Sequence, residues 1–362
     1  MKDRRSEEPK LDEIRALLAE LPGPDAEAAA AAAARQAELT KPAGSLGRLE
    51  ELAEWLAAWQ GRVEPVLDRP HTAVFAGNHG VAAQGVSAYP AAVTKQMVRN
   101  FIDGGAAVNQ LCALADADLR VYEMALDEPT RDFTQAPAMR EADCARALSY
   151  GMMAVEADID VLALGEMGIA NTTSAAAICH ALHGGRPEDW VGRGTGVDDA
   201  GLLRKAEVVR RAVQLHRNDM ADPFDVLRCL GGQEIAAIAG AILAARMASI
   251  PVLLDGYACT AAAAVLQAAE PRALDHCLVA HVSVEPGHRR LLTKLGKRPL
   301  LDLGLRLGEA SGATLAILLL QAAVACHNGM ATFAEAGVSG KGGRGCSRGP
   351  ARRHPGRGMP RQ

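Results

Sequence analysis

Two glutamates sit in glycine-rich settings where a carboxylate has no obvious structural duty. Glu166 lies in Gly165-Glu166-Met167-Gly168, and Glu309 precedes Ala310-Ser311-Gly312. Glycines let a backbone approach a ligand closely. A helical pattern follows each run, and a helix start offers free N–H groups and the positive end of a dipole. That end suits a phosphate, and Asn171, Thr172 and Thr173 open the helix after Glu166, with Thr172 and Thr173 adding hydroxyl donors. A phosphate would not choose a carboxylate as its neighbour. Glu166 is therefore assigned to another part of a phosphorylated nucleotide or sugar. Near Glu309 stand Leu305 and Leu307. Desolvation by leucines would raise its pKa and the helix dipole would lower it. An ionised carboxylate in an apolar slot is a good general base. The plainer alternative for either residue is a helix-start carboxylate without chemistry.

Other residues carry weaker signals. Lys205 falls in the first turn of a helix expected from about Leu202, within the run GRGTGVDDAGLLRK. A cation there opposes the dipole, so it is either placed for a phosphate or merely exposed. His79, in Gly77-Asn78-His79-Gly80, could act as a base or simply hydrogen-bond the backbone. Gln96, Met97 and Phe101 share a helical spacing and could face a flat ligand, or belong to an ordinary amphipathic helix. Asp198-Asp199 could suggest a Mg²⁺-bound sugar pyrophosphate. That motif ends a β-branched strand, however, and here the pair follows Gly194-Thr195-Gly196, so helix capping is the better reading.

The elements that must position these groups follow a repeated pattern: strand, glycine-rich loop, helix. Strands are expected at Thr72–Ala76, Leu119–Met124, Val161–Leu164, Ile250–Leu254 and Leu278–Ser283. This predicts an α/β, Rossmann-like, mostly parallel sheet flanked by helices. Its glycine-rich loops should converge on one crevice at the strands' carboxyl ends. Residues 1–60 and 311–340 lack the alternation and predict a smaller helical domain beside a core at 61–310. The basic Gly/Pro tail at 341–362 predicts disorder.

Composition excludes several classes. A net charge of −4 argues against a nucleic-acid partner. Apolar runs are interrupted before the ~20 residues that span a membrane. The polar start MKDRRSEEPK has no secretory h-region. Eight scattered cysteines without C-x-x-C suggest reduced thiols in a cytoplasmic protein and no zinc site. There is no P-loop motif, and no glycine run has the dinucleotide spacing, which lowers the oxidoreductase reading.

The blocks TKPAGSLGRLE, FAGNHGVAAQGVSAYPAAVTKQMVRNF, GEMGIANTTSAAA, GRGTGVDDAGLLRK, GGQEIAAIAGA, PVLLDGY, SVEPGH and LDLGLRLGEASGATLA run in order from Thr40 to Ala316. Together they resemble the nicotinate-nucleotide–dimethylbenzimidazole phosphoribosyltransferase family. The resemblance implies a homodimer that needs neither metal nor cofactor. It implies transfer of phosphoribose from nicotinate mononucleotide to a benzimidazole nitrogen, in cobalamin synthesis. By it, Glu309 falls on the family's general base and Glu166 on a second active-site carboxylate. Gly168, Asn171, Thr172, Lys205 and Ser283 are expected at the phosphate and ribose. Ser87, Gln96, Met97 and Leu307 are expected near the benzimidazole. One departure is Asn78, where many relatives carry Asp. A non-catalytic binder on the same fold is the rival reading, and retention of both glutamates argues against it.

Overall fold

The computed structural model describes residues 8–156 and 158–339. The tail at 341–362 lies outside them. Among the described residues, five strands form one parallel sheet: β1 (Pro70–Ala76), β2 (Asp118–Glu123), β3 (Val161–Met167), β4 (Val252–Leu254) and β5 (Cys277–Val279). Their order is β2-β1-β3-β4-β5. Direction along the sheet reverses between β1 and β3, and ligands in such sheets bind at that switch, beyond the carboxyl ends.

Both faces of the sheet are covered, which explains why its inner strands read as continuous apolar runs. Alternate residues serve opposite faces. Phe75, Leu162, Leu164, Val252 and Leu254 pack into one core with the helices Glu141–Met153, Asn171–His183, Gln233–Met247 and Tyr257–Ala269. Val74, Val161, Ala163 and Leu253 pack into the other with Leu52, Leu56, Val108, Ala313, Ile317 and Leu320. Residues before and after the sheet thus share one layer: the helix Arg48–Gln60 packs on the helix Ser311–Gly329. Small residues permit close helix crossings. A side chain at Gly151 would collide with the Ala237 carbonyl, and one at Gly240 with that of Leu148.

Several boundaries differ from expectation. β3 continues through Met167, because Phe75 and Ala76 of β1 pair with Glu166 and Met167. The helix after Asp198 begins at Asp199, whose cap Asp198 accepts the Gly201 N–H at 2.8 Å. Lys205 therefore sits in its second turn, outside the reach assumed for the dipole argument. The loops at Gly192 and Gly231-Gly232 follow helices rather than strands. The helix Ser311–Gly329 is long and apolar enough to cross a membrane by length and composition, contrary to the reading of interrupted runs. Its inner stripe of Ala313, Ala316, Ile317 and Leu320 is buried in the sheet-face core.

Candidate active site

Glu166 and Glu309 meet at the carboxyl end of β3. The Glu309 N–H donates to the Glu166 carbonyl at 3.1 Å. The approach is possible because residue 165 is glycine, since a side chain there would overlap the Ala310 backbone. Gly165→Ala should push the Glu309 turn away. We expect a loss of about 1–3 kcal/mol of stability and a drop in turnover, read by thermal melting and initial rates.

The turn itself is strained. Gly308, Glu309 and Ala310 have φ of 82°, 64° and 62°. For the two non-glycine residues this left-handed conformation costs roughly 1–2 kcal/mol each. It is held from below, where Asp255 Oδ1 accepts the Ala313 N–H at 3.0 Å. Asp255 Oδ1 also lies 3.3 Å from His281 Nε2, both side chains being buried. Burial would lower the His281 pKa, but the adjacent Asp255 carboxylate outweighs it and raises it.

Both glutamates are poised to hold or release a proton near neutrality. Burial, with Asp255 adding to it, pushes Glu309 up to about 7. Burial first, then Glu234, Asp255 and Glu309, push Glu166 up to about 8, against the Asn171 side-chain amide that donates to its Oε2. Folding thus keeps the proton on Glu166. Its contribution to stability is full below the ordinary 4.5 and lost as pH rises through about 8. Glu166→Gln should therefore raise the melting temperature by a few degrees at pH ~9 and leave it unchanged near pH ~4.

A second group of residues forms the polar end of the cleft. Lys205 is only 1% exposed, and its Nζ donates to Thr172 Oγ1 and to the Gly192 carbonyl, both at 2.9 Å. Burial pushes it down to about 8, with Glu285 opposing. Glu285 Oε1 accepts the Gly194 N–H at 2.8 Å, while its buried Oε2 has no partner. Ser283 Oγ accepts the Glu285 N–H at 3.3 Å, and the Ser283 N–H donates to His288 Nδ1 at 2.9 Å. The helix Asn171–His183 starts beside them after Ala170, itself at φ 77°.

One cleft of about 100 Å³ gathers Ser87, Glu166, Gly168, Asn171, Thr172, Lys205, Ser283 and Leu307. Glu309 lies behind Gly308 at its edge, 5% exposed. Wider hollows of about 480 and 760 Å³ lie elsewhere, but they are open surface depressions away from the β1–β3 switch. The structure does not bring Gln96 and Met97 to the cleft. The helix Ala92–Ile102 turns Gln96 to solvent and packs Met97 against the sheet-face core. Asn78 Nδ2 donates to the Leu126 carbonyl at 2.8 Å, a bond an aspartate could not make. Asp199 pairs with Arg193, so the Asp198-Asp199 pair caps and bridges locally.

Sequence reasoning missed Asp255, His281, Glu285, Glu234 and Arg306. Asp255 carried a usable signal, as the acid that ends β4 at a glycine. Arg306 carried none, though its guanidinium donates to the Gly194 carbonyl at 3.3 Å across the cleft.

Fold and cleft together define a Rossmann-like α/β protein with a polar cleft at the β1–β3 switch, and the comparisons with known proteins place it among the transferases. A phosphoribosyltransferase profile matches residues 21–338. A Sinorhizobium medicae protein named nicotinate-nucleotide–dimethylbenzimidazole phosphoribosyltransferase is 59% identical over 330 residues, covering 91% of this chain and 97% of its own. A Methylocella silvestris protein of the same name is 60% identical over 333 residues, covering 92% and 98%. A crystal structure under that name from Thermus thermophilus superposes with a TM-score of 0.81 at 44% identity, covering 87% of this chain and 99% of its own. The chain belongs to this phosphoribosyltransferase family.

Proposed function

We propose that this chain transfers phosphoribose from nicotinate mononucleotide to 5,6-dimethylbenzimidazole, giving α-ribazole 5′-phosphate and nicotinate for cobalamin synthesis. The observation that carries the reading is the pair of glutamates, half-buried Glu166 and buried Glu309, joined through the backbone beside the Lys205–Thr172 end of the cleft. Lys205, Thr172, Asn171 and the backbone at Gly168 hold the phosphate, with Ser283 toward the ribose. Leu307 and Ser87 border the flat acceptor, and Gln96 and Met97 would reach it only after a rearrangement of their helix.

The bond changes follow. One benzimidazole nitrogen attacks C1′ as the C1′–N bond to the pyridinium breaks, and its electrons neutralise the departing nicotinate ring. Glu309 takes the proton from the other benzimidazole nitrogen. The leaving group is already cationic, so it needs no acid. Positive charge develops on the ribose, and Glu166 with its neighbouring carboxylates faces it. In the empty cleft Glu166 keeps its proton, and the pyridinium ring of a bound nucleotide favours its ionised form.

A nucleotide and base need about 300 Å³ or more, so the irregular segment with exposed Leu303 and Leu307 yields on binding. The homodimer implied by the resemblance and the cytoplasmic setting expected from the scattered cysteines belong to this reading. The test is incubation with both substrates and detection of products. Finding neither nicotinate nor α-ribazole phosphate overturns it.

A further inference from the structure

Behind the cleft lies a chain of buried polar groups that no substrate can touch. Ser174, His79 and Glu234 are 0%, 2% and 0% exposed. Ser174 Oγ is 2.9 Å from His79 Nδ1, and His79 Nε2 is 2.5 Å from Glu234 Oε1. The three come from different elements: the loop after β1, the helix Asn171–His183 and the first turn of the helix Gln233–Met247. Glu234 Oε2 is buried without a partner. Leaving a buried carboxylate oxygen unpaired is expensive, and a hydrophobic side chain would fill the space more cheaply. The fold therefore does not explain this acid.

Its surroundings point toward Glu166. Side chains at Gly77 and Gly232 would collide with Glu234. One at Gly168 would come within 3.1 Å of Glu234 Oε1 and 3.2 Å of Asn171 Nδ2. That same Asn171 amide donates to Glu166, and the Gly77 N–H donates to the Met167 carbonyl at 3.0 Å. Glu234 thus packs against the underside of the loop that aims Glu166.

We propose that Glu234, held by His79 and Ser174, is a positioning residue for Glu166, supporting the loop beneath it and placing a fixed negative charge behind its carboxyl. The proposal rests on the transferase reading above. In this arrangement Ser174 donates to Nδ1, so Nε2 carries the proton toward Glu234. The groups facing Glu166 are Glu234, Asp255 with its partner His281, Glu309, and the Asn171 amide, with Lys205 and Arg306 across the cleft. Among the charges that raise Glu166, Glu234 ranks first. Glu166 therefore keeps its proton until the pyridinium ring of the donor arrives beside it.

The test is ¹³C NMR titration of the glutamate carboxyls in the full-length free protein, with Glu166 assigned through Glu166→Gln. Glu234→Gln keeps the shape and removes the charge, so the Glu166 midpoint should fall by roughly one pH unit or more. With nicotinate mononucleotide and dimethylbenzimidazole, kcat should fall about tenfold and its pH profile should shift the same way, while KM for the nucleotide holds. A purely structural role would lower the melting temperature and leave the midpoint in place. An unmoved midpoint in folded Glu234→Gln overturns the proposal. If that variant does not fold, the wild-type protein decides: a Glu234 resonance protonated between pH ~6 and ~9 overturns it, and an ionised one supports it. The titration needs no substrate, so a failure of the transferase reading is seen separately in the activity arm.

Discussion

Glu309→Gln lowers kcat by about 10²–10⁴-fold while nicotinate mononucleotide binds as before. The range is what a positioned general base contributes. Glutamine preserves the volume behind Gly308 and the backbone bond to Glu166, so the lost rate is attributable to proton transfer. Wild-type kcat/KM should fall as pH drops below about 7, where burial and Asp255 place the Glu309 carboxyl. The sign follows from its role, since a base works only when ionised. In the variant this acid limb disappears. Single-turnover rates and nucleotide affinity, measured across pH ~5–9, check both points. Unchanged turnover would remove Glu309 from its role and revive the reading of a binding protein.

Lys205→Met has the second-largest expected effect, and it separates binding from chemistry. Lys205 is buried between Thr172 Oγ1 and the Gly192 carbonyl, with burial pushing it down to about 8. A phosphate arriving beside it would restore its full charge. A charge-assisted hydrogen bond contributes roughly 1.5–3 kcal/mol, so kcat/KM for the mononucleotide should drop about 10–100-fold. Nicotinate riboside lacks the phosphate and should be affected far less. Equal losses with both donors would show that Lys205 serves the fold of the loop and not the phosphate.

The α/β alternation was legible because buried strands announce themselves as short apolar runs ending in glycine. Val161–Leu164 and Thr72–Ala76 are such runs. Their ends were less legible, since β3 is extended by pairing with β1, and no local signal in Glu166 or Met167 reports a neighbour. Lys205 reached the cleft from a different turn than the sequence implied, because the cap at Asp198 set the helix start. Met97 and Phe101 share a helical spacing, with Gln96 about 100° away on the same helix. Which face turns inward, however, depends on the partner surface, and the sheet took Met97 while solvent took Gln96. The Ser174–His79–Glu234 chain joins three distant segments, so no spacing could reveal it. The two glutamates were readable for the opposite reason: each sits beside glycines that the approach of one loop to the other demands.

The left-handed turn at Gly308–Ala310 has a consequence for the protein's history. Glycine is the residue that this backbone prefers at position 309. On the proposed role of Glu309, a mutation to glycine there would relax the chain and remove the base in one step. Selection for robustness and selection for turnover therefore pull in opposite directions at a single codon. A lineage that acquired its lower-ligand nucleotide from neighbours would be free to drift that way, keeping a sturdier fold with an intact cleft and no activity. On that role, residue 309 is the position at which this chain's strain and its chemistry meet.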